Sequence, residues 1–140
     1  FPENWWHLQE GRVKMGSGIE VLEGKTLTKV SVNLRGDNPV EKGAEEVYFR
    51  FSDGSTFKMY HRQDCCETVY LEDIIGCSLG DFVGETILAA YETSNHGEAG
   101  QGSETWTFYS LVSQKHFVTL RWYGTSNGYY SESVCVEQIT

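Results

Sequence analysis

The stretch "EVYFRFSDGSTFKMYH", residues 46 to 61, constrains the fold more than any other part of the chain. Apolar residues fall at every second position, with Val47, Phe49 and Phe51 on one arm and Phe57 and Met59 on the other. His61 continues the same face. A period of two places those side chains on one side of a pleated strand, whereas a helix would scatter them around its whole circumference. Between the arms, Asp53-Gly54 supplies the positive φ angles of a tight primed turn, so the stretch reads as a β-hairpin.

The alternation recurs along the chain. "KTLTKVSVNL" offers Leu27, Val30 or Val32, and Leu34 to a core. "ETVYLEDII" sets Val69 and Leu71 against Tyr70 and Glu72, and "TILAAYET" reads as a further strand. "TWTFYSL" and "FVTLRWYG" flank a turn near "VSQKH". In these two arms Trp106 shares a face with Phe108, and Val118, Leu120 and Trp122 share another. Asn127-Gly128 is a second hairpin signal, after which "YYSESVCVEQI" closes the chain as a strand. "SLGDFVGE" reads as a single helical turn, capped by Ser78 and stopped by Gly84. The expected fold is mainly β, or β-rich α+β, with an antiparallel sheet of about seven strands and one short helix. Two segments read as polar loops, residues 35–46 and the mobile-looking "SNHGEAGQGSE" at 94–104. Residues 1–23 form an N-terminal arm and 24–140 a single domain; Trp5 and Trp6 of the arm are expected to dock on the core or on another subunit.

Charge narrows the function. Eleven Lys and Arg face twenty Asp and Glu, a net charge of −9. Phosphate backbones are held mainly by Lys and Arg, so direct nucleic-acid binding is not expected. An acidic surface serves solubility, or competes for the basic groove of a nucleic-acid-binding protein. No run of apolar residues is long enough for a membrane helix, and no leader pattern is legible in a chain that begins at Phe1. The four cysteines are Cys65, Cys66, Cys77 and Cys135. Neighbours in a strand point to opposite faces, and a bridge between them needs a strained ring, so all four read as reduced, in a cytoplasmic compartment.

Two segments carry candidate chemistry. "YHRQDCCETVYLED", residues 60 to 73, gathers His61, Asp64, Cys65, Cys66 and Glu67. Its plain reading is a bend, with Asp64 bonding nearby amides and the cysteines as small fillers. A weaker alternative is a metal held by His61 and Cys65, but zinc sequences use two spaced pairs of ligands and this chain has none. A cysteine nucleophile is disfavoured because Asp64 and Glu67 raise the thiol pKa. Glu72 and Asp73 point to opposite sides of a strand, so they are not read as an acid–base pair, and Glu98 and Glu104 read as a solvated face. No phosphate-binding glycine loop is present, and no cofactor is implied. The second segment, "RWYGTSNGYYSES", residues 121 to 133, collects Trp122, Tyr123, Asn127, Tyr129 and Tyr130. Large rigid aromatics mixed with Ser, Asn and Gly are the composition of binding surfaces, and also of an ordinary aromatic hairpin.

"YFRFSDGSTFKMYHRQDCCETVYLEDIIG", "LGDFVGETILAAYE" and "TWTFYSLVSQKHFVTLRWYGTSNGYYSESV" together resemble a small domain of unknown function found in tailed bacteriophages and prophages. The resemblance spans residues 24 to 136, and its specific parts are the double-cysteine segment and "RWYG-SNGYYSE". It implies a viral origin but no activity. The lead-in with Trp5 and Trp6 and the long 94–104 segment depart from it. The expected function is therefore a non-enzymatic bacteriophage accessory protein in the host cytoplasm, with a protein partner. Its contact residues would be Asp64, Cys65, Cys66, Glu67, Trp122, Tyr123, Asn127, Tyr129 and Tyr130. Two alternatives stand beside it: a structural virion component oligomerising through Trp5 and Trp6, and a small-ligand or metal-binding module.

Overall fold

The computed structural model describes residues 18–33, 45–100 and 102–140. It contains eight strands: β1 (Leu27–Asn33), β2 (Glu46–Phe51), β3 (Thr56–Tyr60), β4 (Thr68–Gly76), β5 (Ala89–Ala99), β6 (Gly102–Val112), β7 (Phe117–Ser126) and β8 (Cys135–Gln138). They form two four-stranded antiparallel sheets, ordered β1-β2-β3-β8 and β4-β7-β6-β5. No α-helix occurs among the described residues; the helical elements are two 3-10 turns, Ile19–Leu22 and Leu79–Phe82.

One core lies between the sheets. Phe49, Phe51, Phe57 and Met59 enter it from the first sheet; Val69, Tyr109, Leu111, Val118, Leu120 and Trp122 enter from the second. These are the period-two apolar faces of the sequence, and each large side chain gains about 1.5–3 kcal/mol by leaving water. The Trp122 indole N–H crosses between the sheets to the Met59 sulfur at 3.3 Å. The two 3-10 turns add Ile19, Leu22, Leu79 and Phe82 to this core, so part of the expected arm is built into it. The Ser78 N–H donates to the Asp81 carboxylate at 3.2 Å, and Gly84 (φ 92°) ends the second turn, at the residues expected to bound a helix. Each turn is closed by bonds three residues apart and is too short for the four-apart ladder of an α-helix.

Several local expectations change. The β2–β3 hairpin forms at Asp53-Gly54, but only Gly54 takes positive φ (88°). The Phe51 N–H donates to the Ser55 carbonyl and the Phe51 carbonyl accepts the Gly54 N–H, leaving a three-residue loop with glycine in the left-handed region rather than a two-residue primed turn. Asn127-Gly128 does not make a hairpin, because β7 and β8 belong to different sheets. The polar 94–104 segment is not a loop: β5 and β6 pair through it from Ser94–Thr107 to Ala99–Gly102. β5 is an edge strand, so its backbone is held by the ladder while its side chains need no core. In β4 a bulge between Leu71 and Asp73 brings Glu72 and Asp73 both to Arg121, at 2.7 and 3.7 Å, instead of parting them. Most of the expected 35–46 loop, together with Leu34, Trp5 and Trp6, lies outside the described residues.

The strand order places the two notable segments together. β3 lies beside β8 in one sheet, and β4 lies beside β7 in the other. Residues 61–67 link β3 to β4, and residues 127–134 link β7 to β8, so both cross between the sheets at the same end. Tyr60 pairs with Cys135 and Thr68 with Thr125 at their roots.

Candidate binding face at the crossover end

Glu67 organises the first crossover. Its side chain is completely buried, and a buried carboxylate is tolerated only with partners. It has four interactions at its two oxygens and flanking carbonyl. Oε2 meets His61 Nε2 at 2.7 Å and accepts the Asp64 N–H at 2.7 Å; Oε1 accepts the Cys65 N–H at 2.9 Å. The Gln63 amide donates to the Glu67 carbonyl at 2.8 Å and to the Cys65 carbonyl at 3.2 Å. Burial alone drives the Glu67 carboxyl up, but the Cys65 and Asp64 amides and His61 outweigh it and hold it down at about 2.

His61 ties this crossover to the other. It stays on the core face of β3 as the alternation requires, and its Nδ1 meets the Ser133 carbonyl at 2.6 Å. Both ring nitrogens are therefore engaged, one by the Glu67 carboxylate and the other by the Ser133 carbonyl. With both engaged, neither is open to a metal in this conformation. Among the described residues, no group of three or more His, Cys, Asp and Glu is placed to hold a metal ion.

The second crossover is pinned by Glu132. Its carboxylate accepts three hydroxyls, Ser103 and Ser126 at 2.5 Å and Thr105 at 2.7 Å. Burial raises this carboxyl, and the Ser103, Ser126 and Thr105 bonds more than compensate, leaving it below its ordinary value. The Asn127 side chain accepts the Tyr129 N–H at 2.9 Å, an Asx turn that turns the chain at Gly128 (φ 94°). Tyr129 is thereby thrust into solvent, 82% exposed, with Tyr130 edge-on to it at 5.0 Å.

An aromatic row crosses the neighbouring sheet on the face turned away from the core. Tyr70 of β4, Tyr123 of β7 and Trp106 of β6 are direct cross-strand partners. Their ring centroids are 5.8 and 5.1 Å apart, within the range of favourable edge-to-face and tilted pairs. The Tyr123 hydroxyl donates to Glu104 at 2.8 Å; burial and that carboxylate push its pKa up to about 12. Glu72 and Asp73, gathered on Arg121, lie one step along the same face.

The candidate residues thus have distinct places. Trp122 is core, not surface. Glu67 is a buried clasp, and Asn127 is a turn former. Asp64, Cys65 and Cys66 are exposed on the first crossover, Tyr129 is exposed on the second, and Tyr123 and Tyr130 are half-buried. Cys65 and Cys66 are joined as a vicinal disulfide, in contrast to the reduced state expected from strand alternation. They sit in an irregular loop, where neighbouring side chains need not point apart. Cys77 and Cys135 are free. Glu132 was missed by sequence reading, since its three hydroxyl partners lie at least six residues away.

Fold and site together define a two-sheet antiparallel β domain whose two adjoining crossovers are each fixed by a hydrogen-bonded carboxylate, Glu67 and Glu132. The chain belongs to a family described as "Domain of unknown function (DUF7448)", whose family model matches residues 20–136. No curated protein matches the chain. No solved structure matches it.

Proposed function

We propose that the protein is a non-enzymatic binding module that recognises a basic macromolecule, and that it serves a tailed bacteriophage as an accessory protein in the host cytoplasm. The observation that carries this reading is Tyr129, 82% exposed on a crossover whose base is fixed by Glu132 and by the His61–Ser133 contact. A large aromatic held in water on a preorganised loop suits an interface anchor, because little ordering entropy is lost on binding. The net charge of −9 favours a basic partner. The aromatic row beside Glu104, Glu72 and Asp73 supports the same preference, since rings and carboxylates both attract guanidinium and ammonium groups.

The test is an affinity pull-down from host lysate with the wild-type chain and a Tyr129→Ala variant. An anchor of this kind contributes at least about 2 kcal/mol, so the variant should lose roughly 30-fold in affinity. Recovery of no stoichiometric partner counts against the reading.

A further inference from the structure

The Cys65–Cys66 bond stands where it cannot brace the fold. A disulfide stabilises largely by closing a loop in the unfolded chain, and one between adjacent residues closes almost none. Other groups already hold this segment. Glu67 binds the amides of Asp64 and Cys65, Gln63 binds the carbonyls of Cys65 and Glu67, and His61 anchors Glu67 to the second crossover. Cys65 and Cys66 are both exposed, while the free Cys77 and Cys135 are half-buried. A bond that is accessible, adjacent and structurally dispensable is suited to exchange rather than support. In reducing compartments, disulfides are typically of this transient or sensing kind.

We propose that Cys65–Cys66 is a thiol–disulfide exchange site opened by a small dithiol reductant, with the frame of residues 61–67 unchanged. One thiolate of the reductant attacks the sulfur of one cysteine. The Sγ–Sγ bond breaks, and the other cysteine leaves as a thiolate and takes up the proton that the reductant released. The second thiol of the reductant then gives up its proton and attacks the reductant's own sulfur in the mixed disulfide. The first cysteine leaves as a thiolate and is protonated in turn. In sum, two electrons and two protons pass from the dithiol, which becomes a disulfide, to the protein, which gains two thiols. A single thiol does this poorly, because the neighbouring cysteine is positioned to expel it from the mixed disulfide.

The test uses the full chain purified without reductant. N-ethylmaleimide labelling is mapped by peptide mass spectrometry before and after incubation with dithiothreitol, and circular dichroism is recorded alongside. Cys65 and Cys66 should be unlabelled before and both labelled after, with the mass of the protein raised by two hydrogen atoms and its β spectrum unchanged. Labelling of the pair before reductant would overturn the proposal, as would its resistance to dithiothreitol in the native state or loss of the β spectrum on reduction. A Cys66→Ser variant provides a second check. It should fold as wild type and label at Cys65 without any reductant; an unfolded variant would mean that the bond is structural after all.

Discussion

At the scale of single residues, Glu67 ties the stability of the fold to pH. Its carboxyl is held at about 2 in the folded chain against an ordinary 4.5. A folded-state value below the unfolded one means that the stabilisation is complete above about pH 4.5 and is lost as pH falls toward about 2. The difference corresponds to about 3 kcal/mol at neutral pH. Denaturant midpoints should therefore fall between pH 4.5 and 2 more steeply for the wild type than for Glu67→Gln, and urea titrations across that window would show it. At pH 7 the same substitution should cost about 1–3 kcal/mol, because the amide cannot satisfy all the buried groups that meet the carboxylate. Two aromatics of one segment should part just as clearly. Trp122→Ala empties the core and should cost about 3–5 kcal/mol, whereas Tyr129→Ala should change stability by less than about 0.5 kcal/mol. Thermal melts of the two variants check this. Sequence could place Trp122 in the core by its alternation with Val118 and Leu120, yet it also drew Trp122 toward the surface by composition. The period was the stronger physical signal.

At the scale of elements, glycine marks where the chain has no freedom to change. Gly76 ends β4 at φ 106°, and an added Cβ would lie 2.5 Å from the Phe117 carbonyl oxygen. Gly76→Ala should cost about 1–3 kcal/mol from backbone strain, measured by chemical denaturation. The strands were legible wherever one face is buried, as in β2, β3 and β7, because burial imposes the period. β5 was legible only at its start. Beyond Ala90 its described side chains are exposed or half-buried, so the backbone ladder to β6 leaves no mark in the pattern. Asn127-Gly128 did signal a turn, but a turn dipeptide is local and cannot say whether the next strand joins the same sheet. The clasp at Glu67 and the pin at Glu132 were illegible for a related reason. The Glu67 clasp closes within residues 61–67, where no period says which loop carboxylate turns inward, and the Glu132 pin needs the pairing of β6 with β7 that sets Ser103 beside Ser126.

At the scale of the whole molecule, one end of the two-sheet domain carries both crossovers, the buried Glu67 clasp, the half-buried Glu132 pin and the exposed Tyr129. The net charge of −9 biases encounter toward basic surfaces. Association should weaken as salt rises, through slower encounter, because exposed charges are screened beyond about 8–10 Å at physiological ionic strength. Binding kinetics over a salt series, once a partner is in hand, would check that. The most direct measurement comes before it: a pull-down from infected-cell lysate with the wild-type chain and Tyr129→Ala side by side, read by quantitative mass spectrometry. The expected result is a basic protein retained in stoichiometric amount by the wild type and lost roughly 30-fold by the variant. Equal retention by both chains, or no stoichiometric partner for either, would contradict a binding role for the crossover end.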